Sequence, residues 1–169
     1  MTTALDLHLN RLLHWRWLVI QMAKLPEYRD ASLKNFGLED AELYMSTVVH
    51  GSVSDEGHFC VSACCAIGSA ALYPPFQGQG LNVVKIRYLL SPNEVSLDGE
   101  PVDYDSAGLA DFFGLDQSDY SLIVNPALYG PKDRDANNNI IAGNVIARIE
   151  AAILRNHGRA ALDLEPQPF

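Results

Sequence analysis

Along the first two dozen residues, Leu5, Leu9, Leu12, Leu13, Arg16 and Ile20 recur at three- and four-residue spacing, and Pro26 follows. That stripe predicts an amphipathic helix over Ala4–Lys24, with Thr2 or Thr3 as its N-cap. Trp15 and Trp17 fall on different sides of it. The pattern changes at His58–Tyr73, HFCVSACCAIGSAALY, where Val61–Leu72 carries no charge. A helix that is apolar all round is buried. Cys60, Cys64, Ile67 and Ala71 share one side at helical spacing, and Cys65, Gly68 or Ser69, and Leu72 share another. A central helix over about 60–73 is therefore predicted, packed by the first and last helices.

The remaining elements follow from local signals. Leu38–Thr47 is predicted as a short helix with acidic residues in its first turn, as the helix dipole prefers. HGSVSDEGH, residues 50–58, has the composition of a loop. Pro74-Pro75 ends the central helix. Val83–Leu90 is β-branched and aromatic with partial alternation, the signature of a strand, and Asp98-Gly99 between apolar residues marks a hairpin turn. A small β-hairpin over about 84–102 is expected.

Ser106 is placed to cap a short helix that Gly114 closes. Asp116 or Ser118 starts another turn that Asn125-Pro126 breaks. Val145, Ile149, Ala152 and Ile153 make a buried stripe on a final helix, about Ala142–Asn156, with Gly158 after it. The fold expected is mainly α (α+β), a compact helical domain around the buried central helix. One globular domain spans 1–169, with a loosely ordered tail at 160–169.

Length and composition narrow the class. A chain of 169 residues can bury a core without metal or disulfide staples. Its three cysteines lie within six positions, Cys60, Cys64 and Cys65, an odd cluster that suits a reducing cytoplasm better than a disulfide scaffold. No apolar run is long enough for a membrane helix, and the N-terminus lacks the basic-then-apolar pattern of a secretion signal. The net charge of −9 is concentrated. Between Tyr88 and Pro131 there is no Lys or Arg, while Glu94, Asp98, Glu100, Asp103, Asp105, Asp111, Asp116 and Asp119 all fall there. Such a surface repels phosphate backbones, so direct nucleic-acid binding is not expected. It suits a protein partner, or a mimic of DNA that occupies a DNA-binding protein.

Over residues 58–155 the chain resembles a loose group of small phage and bacterial proteins. In these a Cys-Gly-Thr-x-x-Cys-x-x-Gly helix start precedes a Phe-Gly-Leu helix, a Pro/Tyr segment and a Val-x-x-Arg-Ile terminal helix. The matching residues are Cys60, Ser62, Cys65 and Gly68, then Phe113-Gly114-Leu115, Asn125-Pro126 with Tyr129, and Val145 through Arg148-Ile149. Val61 stands where Gly is usual, and Ile141 where a capping Thr is usual. The resemblance implies a compact, mainly helical domain, possible phage origin and no particular activity.

Three clusters could carry chemistry. Cys60, placed at a helix N-terminus, would be a low-pKa nucleophile, with His50 or His157 reaching it as base and His58 only two residues away. Cys60 and Cys64 on one helix face, with His50 and His58, would outline a zinc site, though structural zinc normally takes two matched ligand pairs. Asp133, Asp135, Asn137 and Asn139 follow positions 1, 3, 5 and 7 of a calcium loop, but Asn138 and Asn144 replace its Gly and Glu. Each cluster lacks a partner its chemistry needs. The expected function is therefore a non-enzymatic acidic protein that binds a host or defence protein through residues 94–119, with no cofactor. A cysteine hydrolase or transferase using Cys60 and a DNA-mimic inhibitor are the alternatives.

Overall fold

A computed structural model describes residues 5–169; the expected Thr2/Thr3 cap and Ala4 lie outside them. The first helix, α1 (Leu7–Ala23), is capped instead by Asp6, whose carboxylate accepts from the backbone N–H of His8 and Leu9, each at 3.1 Å. Those are two of the four N–H groups a helix start leaves free. Leu12, Leu13, Trp15, Leu18 and Val19 of α1 are fully buried. Trp15 stacks on Phe113 at 4.2 Å between ring centroids and donates its indole N–H to the carbonyl of Ala66 at 2.9 Å. Trp17 is half-buried beside Tyr73.

The expectation of a mainly helical domain is corrected: the chain is mixed, 48% helix and 21% strand, with a six-stranded sheet. The largest difference lies in the predicted central helix. Phe59–Cys64 is a strand, β3, and the helix α2 runs only from Ala66 to Leu72. The strand's period of two is present but disguised by small side chains: Cys60 and Ser62 are exposed, and Val61 is buried. Cys65, in extended conformation, turns the strand into the helix and caps it, its sulfur accepting from Gly68 N–H at 3.4 Å. All seven residues of α2 are buried. Its start is pinned by Cys65 N–H donating to Val48 O at 3.1 Å, and a Cβ on Gly68 would lie 1.7 Å from that same oxygen.

Two further expectations fail for local reasons. Residues 38–47 form no helix but a loop with the two-residue strand β1 (Glu42–Leu43). The Arg29 guanidinium takes up the carbonyls of Leu38, Glu39 and Ala41 at 2.8–3.0 Å, acceptors that a helix would have used internally. The predicted loop 50–58 contains strand β2 (Val49–Val53) and a tight turn into β3. Val83–Leu90 is not one strand but two arms of a hairpin, β4 (Leu81–Ile86) and β5 (Leu89–Leu97), folded at Arg87 with φ 59°. At the Asp98-Gly99 turn both residues have positive φ, 51° and 88°, and β5 returns as β6 (Glu100–Asp103).

The strand order is β1-β3-β2-β5-β4, with β6 also on β5; only β1–β3 is parallel. Two irregularities shape this sheet. From His50 to Gly51 β2 advances one residue while its partner β3 advances two, Ala63 to Val61, so Ser62 is a bulge. From Val83 to Lys85 β4 advances two while β5 advances five, Leu90 to Val95. The second bend, around Pro92, lets β5 leave β2 and take up β6.

Helices cover one face of the sheet. After α2 come a short α3 (Pro74–Gln77), α4 (Ala107–Phe113), α5 (Gln117–Val124) and α6 (Ala142–His157). Helix α2 lies against β3, β4 and β5, and α1 packs on both α2 and α6. Gly114 ends α4 at φ 67°, Asp116 caps α5, and Val145, Ile149, Ala152 and Ile153 form the buried stripe of α6. The C-terminal segment, for which a loose tail is expected, runs beside α1. Asn10 and Gln167 exchange hydrogen bonds at 2.9 and 2.8 Å, and Phe169 stacks on His14 at 4.6 Å.

Candidate functional site

The opposite face of the sheet carries no helix among the described residues, and its outward side chains can be read from the strand register. One row crosses Glu42 on β1, Ala63 on β3 and His50 on β2. The next crosses Cys60 on β3, Ser52 on β2, Leu89 on β5 and Ile86 on β4. Glu42, His50, Cys60, Ser52 and Leu89 of these rows, with Asp40, Ser62 and Pro92, bound a groove of about 690 Å³. Its walls are apolar at Leu89 and Pro92, and its polar groups are His50, Ser52, Cys60 and Ser62 with the carboxylates Asp40 and Glu42 at its side. A second depression adjoins it, sharing Ser52 and Cys60 and reaching Asp55, Glu56, Phe59 and Tyr88.

The bulge positions the polar centre. Ser62 is the surplus residue of β3 and points outward, with its hydroxyl 2.7 Å from His50 Nδ1 and 3.1 Å from the His50 carbonyl. Across the ladder Gly51 leaves the room the bulge needs: a Cβ there would lie 2.5 Å from the carbonyl oxygen of Cys60. The imidazole is exposed, and only its Nδ1 has a hydrogen-bond partner in the protein among the described residues. Bulges recur beside functional sites because they re-aim side chains at a sheet surface.

The same bulge separates the cysteines. In an unbroken strand Cys60 and Cys64 would share a face. Here Cys60 is exposed in the groove, and Cys64 is buried on the helix-covered face. The zinc cluster drawn from Cys60, Cys64, His50 and His58 is therefore not assembled, and no group of three or more metal-ligating side chains occurs among the described residues. Nor is Cys60 at a helix N-terminus, since α2 begins six residues later. The thiol at that position is Cys65, which burial pushes up to about 11 despite the Gly68 N–H that it accepts. Burial raises Cys64 as well.

The other candidates are dispersed. His50 lines the groove with Cys60 but bonds to Ser62. His157 is the last residue of α6, in the helical layer, and its Nε2 is buried with no hydrogen-bond partner among the described residues. In the 133–139 loop, Asp135 accepts from the N–H groups of Asn137 and Asn139 at 2.8 and 3.0 Å, and Asp133 accepts from Gly130 N–H and pairs with Arg148 at 3.3 Å. Asn137 and Asn139 are exposed on that loop. These are the self-contained bonds of an Asx turn.

The acidic run divides in the same way. Asp119 pairs with Arg155 at 2.7 Å, and Asp116 caps α5. Glu94 and Asp103 stand directly opposite on β5 and β6, with Asp98 in the turn, Glu100 at the start of β6, and Asp105 and Asp111 exposed beyond. It makes a broken acidic rim rather than one continuous face.

Sequence reasoning missed Ser62, Ser52, Leu89, Asp40 and Glu42. The signal for the first two was the alternation in Val49-His50-Gly51-Ser52-Val53 and in Cys60-Val61-Ser62. The rest come together only through the strand order. No helix among the described residues is long and apolar enough to cross a membrane. Compared with protein-family models, with curated proteins and with solved structures, the chain gives no match.

Proposed function

We propose that this chain is an acidic binding protein whose uncovered sheet face receives an apolar segment of a protein partner carrying Lys or Arg. The observation that supports it is the groove together with the exposed apolar side chains beside it: Ile86, Tyr88 and Leu89 are 56%, 65% and 63% exposed. Large apolar side chains clustered at the surface mark interaction sites more often than scattered ones do. Charge selects the partner. Asp40 and Glu42 flank the groove, Asp55 and Glu56 the adjoining depression, and the whole chain carries −9. Carboxylates at the side of a groove with apolar walls favour a basic, apolar segment and speed its approach at low salt. The 94–119 acids extend the same attraction beyond the groove.

A displayed random-peptide library, selected on the purified protein, tests this. Enriched peptides should combine aliphatic or aromatic residues with Lys or Arg, and binding should weaken as salt rises. Leu89→Asp should weaken it by about tenfold or more. Peptides that survive Leu89→Asp but are lost when Glu94, Asp98, Glu100 and Asp103 are neutralised would move the surface to the β5–β6 hairpin. No enrichment would overturn the binding reading itself.

A further inference from the structure

We infer that the groove also holds a nucleophile–base pair, Ser62 and His50, competent to take an acyl group from an ester with an apolar acyl chain. The inference goes beyond peptide binding and shares only the groove with it. Three features carry it. First, Ser62 is a surplus residue: the ladder pairs Val61 and Ala63 with consecutive residues of β2, so the strand would be complete without it. Second, its hydroxyl lies 2.7 Å from His50 Nδ1 and donates to the His50 carbonyl at 3.1 Å; with the ring proton on Nε2, a turn about the Ser62 side chain delivers the hydroxyl proton to Nδ1 instead. A hydroxyl within such reach of an imidazole is the arrangement that activates serine. Third, the pair is open to solvent within an apolar-walled groove, where Leu89 and Pro92 can take a hydrocarbon chain. Asp40 and Glu42 line the same groove.

The chemistry balances without a cofactor. As Ser62 Oγ bonds to the ester carbonyl carbon, its proton passes to His50 Nδ1. Collapse of the tetrahedral adduct breaks the carbon–oxygen bond of the leaving alcohol, which takes that proton from His50. Water then repeats the two steps with Ser62 as the leaving group, regenerating the hydroxyl and releasing a carboxylic acid. Cys60, in the neighbouring row and without a hydrogen bond to His50, has no part in this.

The test is labelling of the folded protein with a fluorophosphonate, with the modified residue located by mass spectrometry and p-nitrophenyl butyrate hydrolysis followed in parallel. The expected result is a label on Ser62, lost in Ser62→Ala, slowed about 100-fold in His50→Gln and retained in Cys60→Ala. Circular dichroism of each variant separates loss of the pair from loss of the fold. A wild-type protein that takes no label, a label on another residue, or equal rates in folded wild type and folded His50→Gln would each overturn the inference. Peptide binding with no label would remove this inference alone, whereas a label with no peptide binding would remove the binding reading alone.

Discussion

At the scale of single residues, the positions that decide the fold are those where one backbone runs against another. Gly68 is the sharpest case, because its missing Cβ is what lets α2 lie on the Val48 carbonyl. Gly68→Ala must push helix and strand apart inside a packed core, and should cost about 3 kcal/mol, read as a lower urea midpoint at unchanged slope. The cysteines offer a chemical readout of the same architecture. Iodoacetamide should modify Cys60 in the native protein, while Cys64 and Cys65, both buried and both raised by that burial, should react only after denaturation. Native labelling of Cys64 would contradict the bulge that sends the two thiols to opposite faces. None of these distinctions is visible in the string CVSACC, where any of the three thiols could be core.

Elements defined by a turn residue or a long stripe were legible in the sequence; elements defined by a distant partner were not. The Asp98-Gly99 turn, the Gly114 stop of α4, the Asp116 cap of α5 and the four-residue stripe of α6 each rest on a local signal that the structure satisfies. Residues 60–64 fooled the reading because a short run of small apolar residues fits a helix and a strand equally well. Residues 38–47 fooled it because Arg29, nine residues away, claims the carbonyls. The pairing of Ser62 with His50 depends on strand register across a bulge, which no spacing in the sequence encodes. The turn offers a clean measurement. Gly99 has φ 88° and nothing within 4 Å of where a Cβ would stand, so Gly99→Ala isolates backbone strain. It should destabilise by about 1–2 kcal/mol, whereas an unchanged thermal midpoint would mean that the turn relaxes to another type.

For the molecule as a whole, the C-terminal segment ties the last residues to the first helix through His14. Its Nδ1 meets the Tyr73 hydroxyl at 2.9 Å and its Nε2 the Gln167 carbonyl at 2.8 Å, a pattern that a neutral imidazole satisfies with one donor and one acceptor. Burial lowers the His14 pKa below its ordinary 6.5, partly opposed by the bond to Gln167. The unfolded chain therefore binds the proton first, so stability is fully present above about 6.5 and falls as pH drops from there toward the lower folded value. The thermal midpoint should decline over that window, and hydrogen exchange at Gln167 N–H, which donates to Asn10, should accelerate with it. His14→Gln should flatten that part of the profile. An unchanged slope would assign the acid sensitivity to other groups.

Parity gives the bulge a last consequence. On β3 the inward positions Val61 and Cys64 are three apart, an odd interval in a structure that counts by twos, and Ser62 supplies the difference. Removing that one residue would make the interval even and leave every other side chain on the face it already occupies. A chain shortened by deletion of Ser62 should thus keep its core, its strand order and its exposed Cys60, and differ chiefly at the imidazole of His50. An excision that would wreck most strands here becomes the mildest change available, and it separates what the sheet requires from what has been added to its surface.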